Sequence, residues 1–296
     1  MNKSFLRMSL AALLATASLP AFAQNFDTSG INVDEALAAR LPDKIKQAGI
    51  LTIGSDTAYA PWEFLSAADG QTPEGIDVDI ANAIGRKLGV NIDFRTSAFE
   101  AILPALGSKF DLGISAFSVT EERMKAVNFV SYAITGDMWL VRTGNPTGFD
   151  PSKLCGRTIA VQSGTYHERA ILAENETCVS AGKEEIEVLP FGKQTEVLTR
   201  VAVGGADATV SGEAGIGYAA KQSDGRLETM EPVAGAFGDS GPNGIAVAKP
   251  DLALAELIAD TVNALIADGT YQALLDSWGI GSAVVEEAQV NPETNH

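Results

Sequence analysis

The chain has 296 residues, of which 38 are acidic and 21 basic, giving a formal charge of −17. That surplus argues against nucleic acid and anionic membrane surfaces as partners, while a local pocket can still oppose the global field. The histidines are His167 and His296 and the cysteines are Cys155 and Cys178, so no cluster has metal-ligand spacing, and no Gly-rich phosphate loop with a Lys is present; neither a metal nor a cofactor is expected.

Residues 1–23 read as an export leader. Lys3 and Arg7 precede an apolar run from Met8 to Ala15, and Ala21-Phe22-Ala23 gives a small-x-small cleavage site. The run is shorter than the roughly 20 apolar residues a span needs, and Gln24 rather than Cys follows the cut, so neither a membrane anchor nor a lipoprotein is expected. Loss of the leader removes two bases and no acids, leaving 38 acidic and 19 basic side chains and a charge of −19. The mature length fits one large domain or two lobes. An oxidising compartment favours a disulfide between Cys155 and Cys178, with two buried free thiols as the alternative.

A polar lead-in comes next, then one short helix over Ala36–Gln47. Ile50–Gly54 reads as a strand and Asp77–Leu88 as a helix, with Ile80, Ala81, Ile84 and Leu88 on one face and Asp77 placed to cap it. Val90, Ile92 and Phe94 alternate as a strand, Phe99–Leu106 forms a helix, Leu112–Ser115 a buried strand. Thr120 caps a short helix carrying Arg123, and Val127–Tyr132 is strand-like. Gly136–Val141 then leads into a second block: strand Thr158–Gln162, a Ser163-Gly164-Thr165 turn, a helix from Tyr166, strand Glu187–Leu189, helix Thr195–Val203, strand Ala208–Val210 and helix Glu213–Lys221. Strand Gly244–Ala248 follows, then a long helix with Leu254, Leu257, Ile258, Val262 and Leu265 on one face, and a last helix holding Tyr271, Leu274 and Trp278. The tail after Gly281 is polar and acidic and reads as frayed. Such alternation implies an α/β fold, with parallel or mixed sheets and helices on both faces.

Six segments in order resemble the polar amino-acid family of periplasmic solute-binding proteins of ABC transporters (family 3). They are the loop Ser55–Phe64, the stretch Gly75-Ile76-Asp77-Val78-Asp79-Ile80, the helix Phe99–Leu106, the segment Ser115–Arg123, the turn Val161–Thr165, and Asp268-Gly269-Thr270-Tyr271 with Trp278-Gly279. Together they cover roughly residues 40–282. The resemblance implies a two-lobe Venus-flytrap fold. Lobe 1 would hold residues 24–138 and 244–296, lobe 2 residues 139–243, and the strands crossing near Asp137 and Gly244 would form the hinge.

It also implies a binding site. The match to Arg123 grips the ligand's α-carboxylate in the family, as a planar guanidinium fork would; on its own the residue reads more readily as a helix-surface Arg paired with Glu122 or a neighbour. The Ser163–Thr165 turn, with the Thr165 hydroxyl, offers N–H groups at a helix start to the same carboxylate. Ser115 and Ser118 match hydrogen-bonding positions, and Ala116 between them brings only backbone. Tyr59 and Phe99 match pocket positions, while Trp62 and Phe117 are pocket or core. Asp56 matches a position that meets a cationic side chain in some relatives, or it caps its own loop.

One departure stands out. The family places an Asp, which binds the ligand's α-ammonium, five residues beyond the position of Asp207, and here that residue is Gly212. Either Glu213 reaches in as a substitute, or the ligand lacks a free α-amine, or the alignment shifts locally.

The expected function is a periplasmic, monomeric protein that binds a small carboxylate-bearing solute and hands it to an inner-membrane ABC permease, without being membrane-inserted and without catalysis. The alternatives are an enzyme of the cyclohexadienyl dehydratase kind, with Glu213 or Glu100 as its acid, and a diffusible presenter that docks on a chemosensory receptor.

Overall fold

A computed structural model describes residues 25–232, 237 and 241–294 of the chain; the leader expected over residues 1–23 lies outside them. The first helix of the sequence reading is in fact two, α1 (Glu35–Ala38) and α2 (Asp43–Ala48). Pro42 separates them, because it cannot continue a helix and stands at the N-cap of the second. β1 (Ile50–Ser55) follows, with Leu51 and Ile53 fully buried. The loop after it carries three short strands, β2 (Ala58–Tyr59), β3 (Glu63–Leu65) and β4 (Pro73–Glu74), which pair antiparallel as a small separate sheet. Pairings this short are below the length at which alternation can be read.

α3 (Ile76–Leu88) buries Ile76, Ile80, Ala81, Ile84 and Leu88, as the 3.6-residue period requires. Its N-cap is Gly75 and not Asp77. Gly75 has φ +128°, and a Cβ there would lie 2.3 Å from the Trp62 carbonyl oxygen, so glycine alone lets the chain enter this helix. Then come β5 (Asn91–Thr96), α4 (Phe99–Ile102), β6 (Leu112–Gly113), α5 (Glu121–Ala126) and β7 (Val127–Thr135). α4 stops short of Leu106 because Pro104 turns its end into a 3₁₀ turn over Leu103–Ala105. Thr120 caps α5, its hydroxyl accepting from the Arg123 N–H at 3.1 Å.

The chain crosses at Gly136 into a second unit. β8 (Asp137–Arg142), β9 (Thr158–Gln162), α6 (Tyr166–Ser180), β10 (Glu187–Phe191), α7 (Gln194–Ala202), β11 (Ala208–Gly212), α8 (Glu213–Gln222) and β12 (Leu227–Met230) build it. β13 (Gly241–Ala248) crosses back, and α9 (Leu252–Ala267) and α10 (Thr270–Ser277) finish the first unit.

The two five-stranded sheets have equivalent orders, β5-β1-β6-β13-β7 and β10-β9-β11-β8-β12. In each, three parallel strands meet a fourth that runs antiparallel, and that fourth strand is one of the two crossing strands. The result is the two-lobe periplasmic-binding-protein architecture, with mixed sheets, helices on both faces and two crossings at the hinge. β7 runs to Thr135 in the first sheet and β8 begins at Asp137 in the second, while β13 pairs with β7 from Gly241 onward.

Each lobe has its own core. α9 turns Leu254, Leu257, Ile258, Val262 and Leu265 onto the first sheet, in one cluster with Leu51, Ile53 and the α3 face. In the second lobe Trp139 packs with Phe149, Ile159, Ile171 and Val210. Cys155 and Cys178 form a disulfide with Cα atoms 5.6 Å apart, tying the loop after β8 to the end of α6.

The tail after Gly281 is held in place. Val285 and Ala288 are buried, the Ser131 N–H donates to the Gln289 carbonyl at 3.0 Å, and the Asn291 N–H donates to the Phe129 carbonyl at 2.7 Å. These backbone pairings are independent of side-chain polarity, which is why composition suggested fraying.

Candidate functional site

The ends of β1, β6, β9 and β11 point into the gap between the lobes, together with the start of α6 and the hinge segment Thr135–Asp137. The walls of the resulting cavity include ten of the twelve ligand-contact residues expected from sequence: Asp56, Tyr59, Trp62, Phe99, Ser115 and Ala116, then Ser118, Arg123, Thr165 and Gly212. Two stand outside it. Phe117 is fully buried and packs between Phe99 and Phe129 in the lobe 1 core. Glu213 is solvent-exposed on α8 and does not line the cavity, so it does not take the place of the missing carboxylate at Gly212. Glu100, the other acid considered for catalysis, is exposed as well.

A buried polar framework sets the lobe 1 wall. Glu63 and Asp77 are both fully buried. The Ser115 hydroxyl donates to Glu63 Oε1 at 2.6 Å and accepts from the Asp56 N–H at 3.0 Å. Asp77 accepts from the Tyr132 hydroxyl at 2.7 Å and from the Ala116 N–H at 2.8 Å. Burial first, and the neighbouring Asp77 charge second, hold the Glu63 carboxyl well above the usual range, and burial raises Asp77 to about 6. Asp77 thus fixes the backbone of the Ser115–Ser118 segment. Asp79 in the same motif accepts from the Trp278 indole N–H at 2.7 Å and from the Phe26 N–H at 2.9 Å, pinning α10 and the N-terminal strap to α3.

Arg123 is buried, with its guanidinium carbon 5.6 Å from the centroids of both Phe99 and Phe117. It donates to the Ser118 carbonyl at 2.8 Å and, across the gap, to the Gly164 carbonyl at 3.0 Å. Burial, with the nearby Arg169 charge, pushes it down to about 9. A buried cation held by two neutral carbonyls favours an incoming anion.

On the lobe 2 side the Thr165 hydroxyl caps α6, accepting from the Glu168 N–H at 3.0 Å, and donates to the Gln162 carbonyl at 2.7 Å. The Gly164 N–H is engaged by Glu168 Oε2 at 2.7 Å, so this turn does not present it free. Gly164 has φ +78°, and a Cβ there would meet Glu100 Cβ at 2.7 Å; glycine is what lets the lobes approach at this point.

Two more contacts cross the gap. Tyr59 Oη lies 3.0 Å from Ser211 Oγ, and the Gln162 side-chain amide donates to Asp56 Oδ2 at 2.5 Å. Burial raises Asp56 to about 6 against that hydrogen bond, and raises the Tyr59 hydroxyl too. These bridges leave about 40 Å³ of free space, enough for a water or two. A solute must displace them or part the lobes.

Sequence reasoning missed several wall residues. Glu63 and Ser211 lie beside positions it named, and Gln162 ends the strand before the named turn. Asp137 entered only as a hinge marker and His167 only as an isolated histidine; both line the cavity. Their proximity depends on β8 and α6 meeting at the hinge, which no local pattern encodes. Among the described residues no His, Cys, Asp and Glu group could hold a metal ion, and no helix is long and apolar enough to cross a membrane.

Two lobes, two crossings and a polar cavity between strand ends define a solute-binding architecture. The model of bacterial extracellular solute-binding proteins, family 3, matches residues 51–281, and the chain belongs to that family. The arginine-binding protein ArgT of Corynebacterium glutamicum is 31% identical over 261 residues, covering 87% of this chain and 83% of its own length. A mutant of the arginine-binding protein ArgBP from T. maritima superimposes with a TM-score of 0.70 at 32% identity, over 80% of this chain and 98% of that one. An ancestral amino acid-binding protein, a precursor of cyclohexadienyl dehydratase, gives a TM-score of 0.67 at 29% identity, over 80% and 98% of the two chains.

Proposed function

We propose that this protein is the periplasmic solute-binding component of an ABC uptake system, that it captures a small carboxylate-bearing, amino-acid-like solute by closing its lobes, and that it delivers the solute to an inner-membrane permease. Arg123 carries the reading. Its buried guanidinium reaches from lobe 1 to a lobe 2 carbonyl, and a ligand carboxylate would replace that neutral acceptor with a charged one. A carboxylate held there touches both lobes, and only the closed state offers both sets of contacts, so binding favours closure.

The resemblance to the arginine-binding proteins ArgT and ArgBP supports an amino-acid-like solute, with arginine first to be tried. Binding without turnover is favoured over a dehydratase because Glu213 and Glu100, the acids considered for catalysis, are both exposed. A thermal-shift screen of amino acids and small carboxylic acids tests the function. A solute at about 100 times its Kd should stabilise the protein by about 2.7 kcal/mol. If sugars or other solutes without a carboxylate gave the largest shifts, the reading would fall.

A further inference from the structure

By the resemblance, Gly212 stands where the family places an acid directed at a ligand amine, and Glu213, exposed and outside the cavity, does not replace it. In the antiparallel pairing of β11 with β8, Gly212 stands directly opposite Asp137. Directly opposed residues project to the same face of a sheet, with Cβ positions about 5 Å apart. A carboxylate is therefore present on the same face, one strand over, at the mouth of the hinge.

The surroundings of Asp137 are those of a held anion with one oxygen to spare. Its Oδ1 lies 2.7 Å from His167 Nε2, which as the partner of a carboxylate oxygen acts as donor. The two side chains are 11% and 10% exposed. Oδ2 is buried and has no hydrogen-bond partner among the described residues. His167 is fixed in turn by rings, with Phe237 stacked at 6.4 Å and Tyr166 edge-on at 5.3 Å. Both residues line the cavity that holds Arg123 and Thr165. A side chain at 212 would be crowded: a Cβ on Gly212 would come within 3.1 Å of the Tyr59 hydroxyl oxygen, which would have to give by a few tenths of an ångström.

We propose that Asp137, positioned by His167, is the acceptor for a primary ammonium group on the ligand, and so takes over from the hinge strand the task that position 212 has lost. Building on the Arg123 reading, this places the ligand's carboxylate on Arg123 and its ammonium on Oδ2 of Asp137. The solute is then a free-amine amino acid, not an N-blocked or amine-free acid. Asp137 lies on a crossing strand, so the amine would be held where the lobes pivot and the carboxylate where they close.

The test is calorimetry on wild type, Asp137→Asn and Arg123→Ala with paired probes: L-amino acids, beginning with L-arginine, and their deaminated counterparts, beginning with 5-guanidinopentanoate. Wild type should prefer the amino acid by at least tenfold. Asp137→Asn, which keeps shape and backbone pairing, should erase that preference by weakening the amino acid alone. Arg123→Ala should weaken both members of a pair alike. His167→Phe should reduce the preference and His167→Gln should largely preserve it. Equal weakening of both probes by Asp137→Asn, or no weakening, overturns the proposal. If only amine-free acids bind wild type, the Asp137 assignment falls while the Arg123 reading stands. If neither probe class binds, both fall.

Discussion

Replacing Arg123 by Ala tests the carboxylate grip most directly. The guanidinium makes two hydrogen bonds to neutral carbonyls, at Ser118 and Gly164. A carboxylate would take the Gly164 bond and add charge to it. Hydrogen bonds to charged groups contribute about 1.5–3 kcal/mol each, against about 1 kcal/mol for the neutral bond given up. Two such bonds less one neutral bond give a net of about 3 kcal/mol, or on the order of 150-fold in Kd. Arg123→Lys keeps the charge but loses the planar fork, and a loss of about tenfold is expected. Titration calorimetry with the solute found by thermal shift, on wild type and both variants, measures these ratios. The melting temperature of the free variants should move less than that of the liganded ones, because the deletion also removes a buried cation without an anionic partner. A Kd for Arg123→Ala within threefold of wild type would refute the grip.

Three other outcomes are expected. Asp56 is raised to about 6 by burial, so between about pH 4 and pH 6 the folded state holds a proton that the unfolded state releases, and stability falls as pH rises through that window by about 3 kcal/mol; Asp56→Asn should flatten this part of the profile relative to wild type, and parallel urea-midpoint profiles would contradict it. Gly164→Ala should cost about 1 kcal/mol for its positive φ and weaken solute binding about tenfold by holding the lobes apart at Glu100, seen as a lower affinity in calorimetry; undiminished affinity would mean that the lobes need not approach there. Removing the Cys155–Cys178 disulfide, which closes a loop with a sequence separation of 23, should lower unfolding stability by about 3 kcal/mol in denaturant titration, and an unchanged midpoint would show the bridge to be dispensable.

The sequence revealed the fold where segments are long. The helix faces of α3 and α9 and the strands β1 and β9 follow from periodicity alone, and the order of six motifs supplied the lobe arrangement. What it hid has physical reasons. The strands β2, β3 and β4 are too short for a pattern. Asp77 has the right type and place for a helix cap, yet its carboxylate is buried under Tyr132, a contact across 55 residues. The site divides the same way. Arg123, Thr165 and the Ser115–Ser118 segment are contiguous with recognisable local structure. Asp137 and His167 are 30 residues apart and meet only because a crossing strand abuts a helix start. Glu213 was an attractive substitute by proximity in sequence, but a residue that begins a helix just after an inward-facing position points elsewhere.

The clasp of the C-terminal tail on β7 has a further consequence. β7 is the last strand of its sheet, and such a strand ordinarily leaves a row of free amides and carbonyls on which another chain can add. The pairing of Ser131 with Gln289, of Phe129 with Asn291 and of Val130 with Val290 occupies that row. The acidic residues just before it, Glu286 and Glu287, put negative charge beside it. The tail thus serves as a guard on the edge of lobe 1, filling positions on which the sheet of a neighbouring molecule could otherwise add.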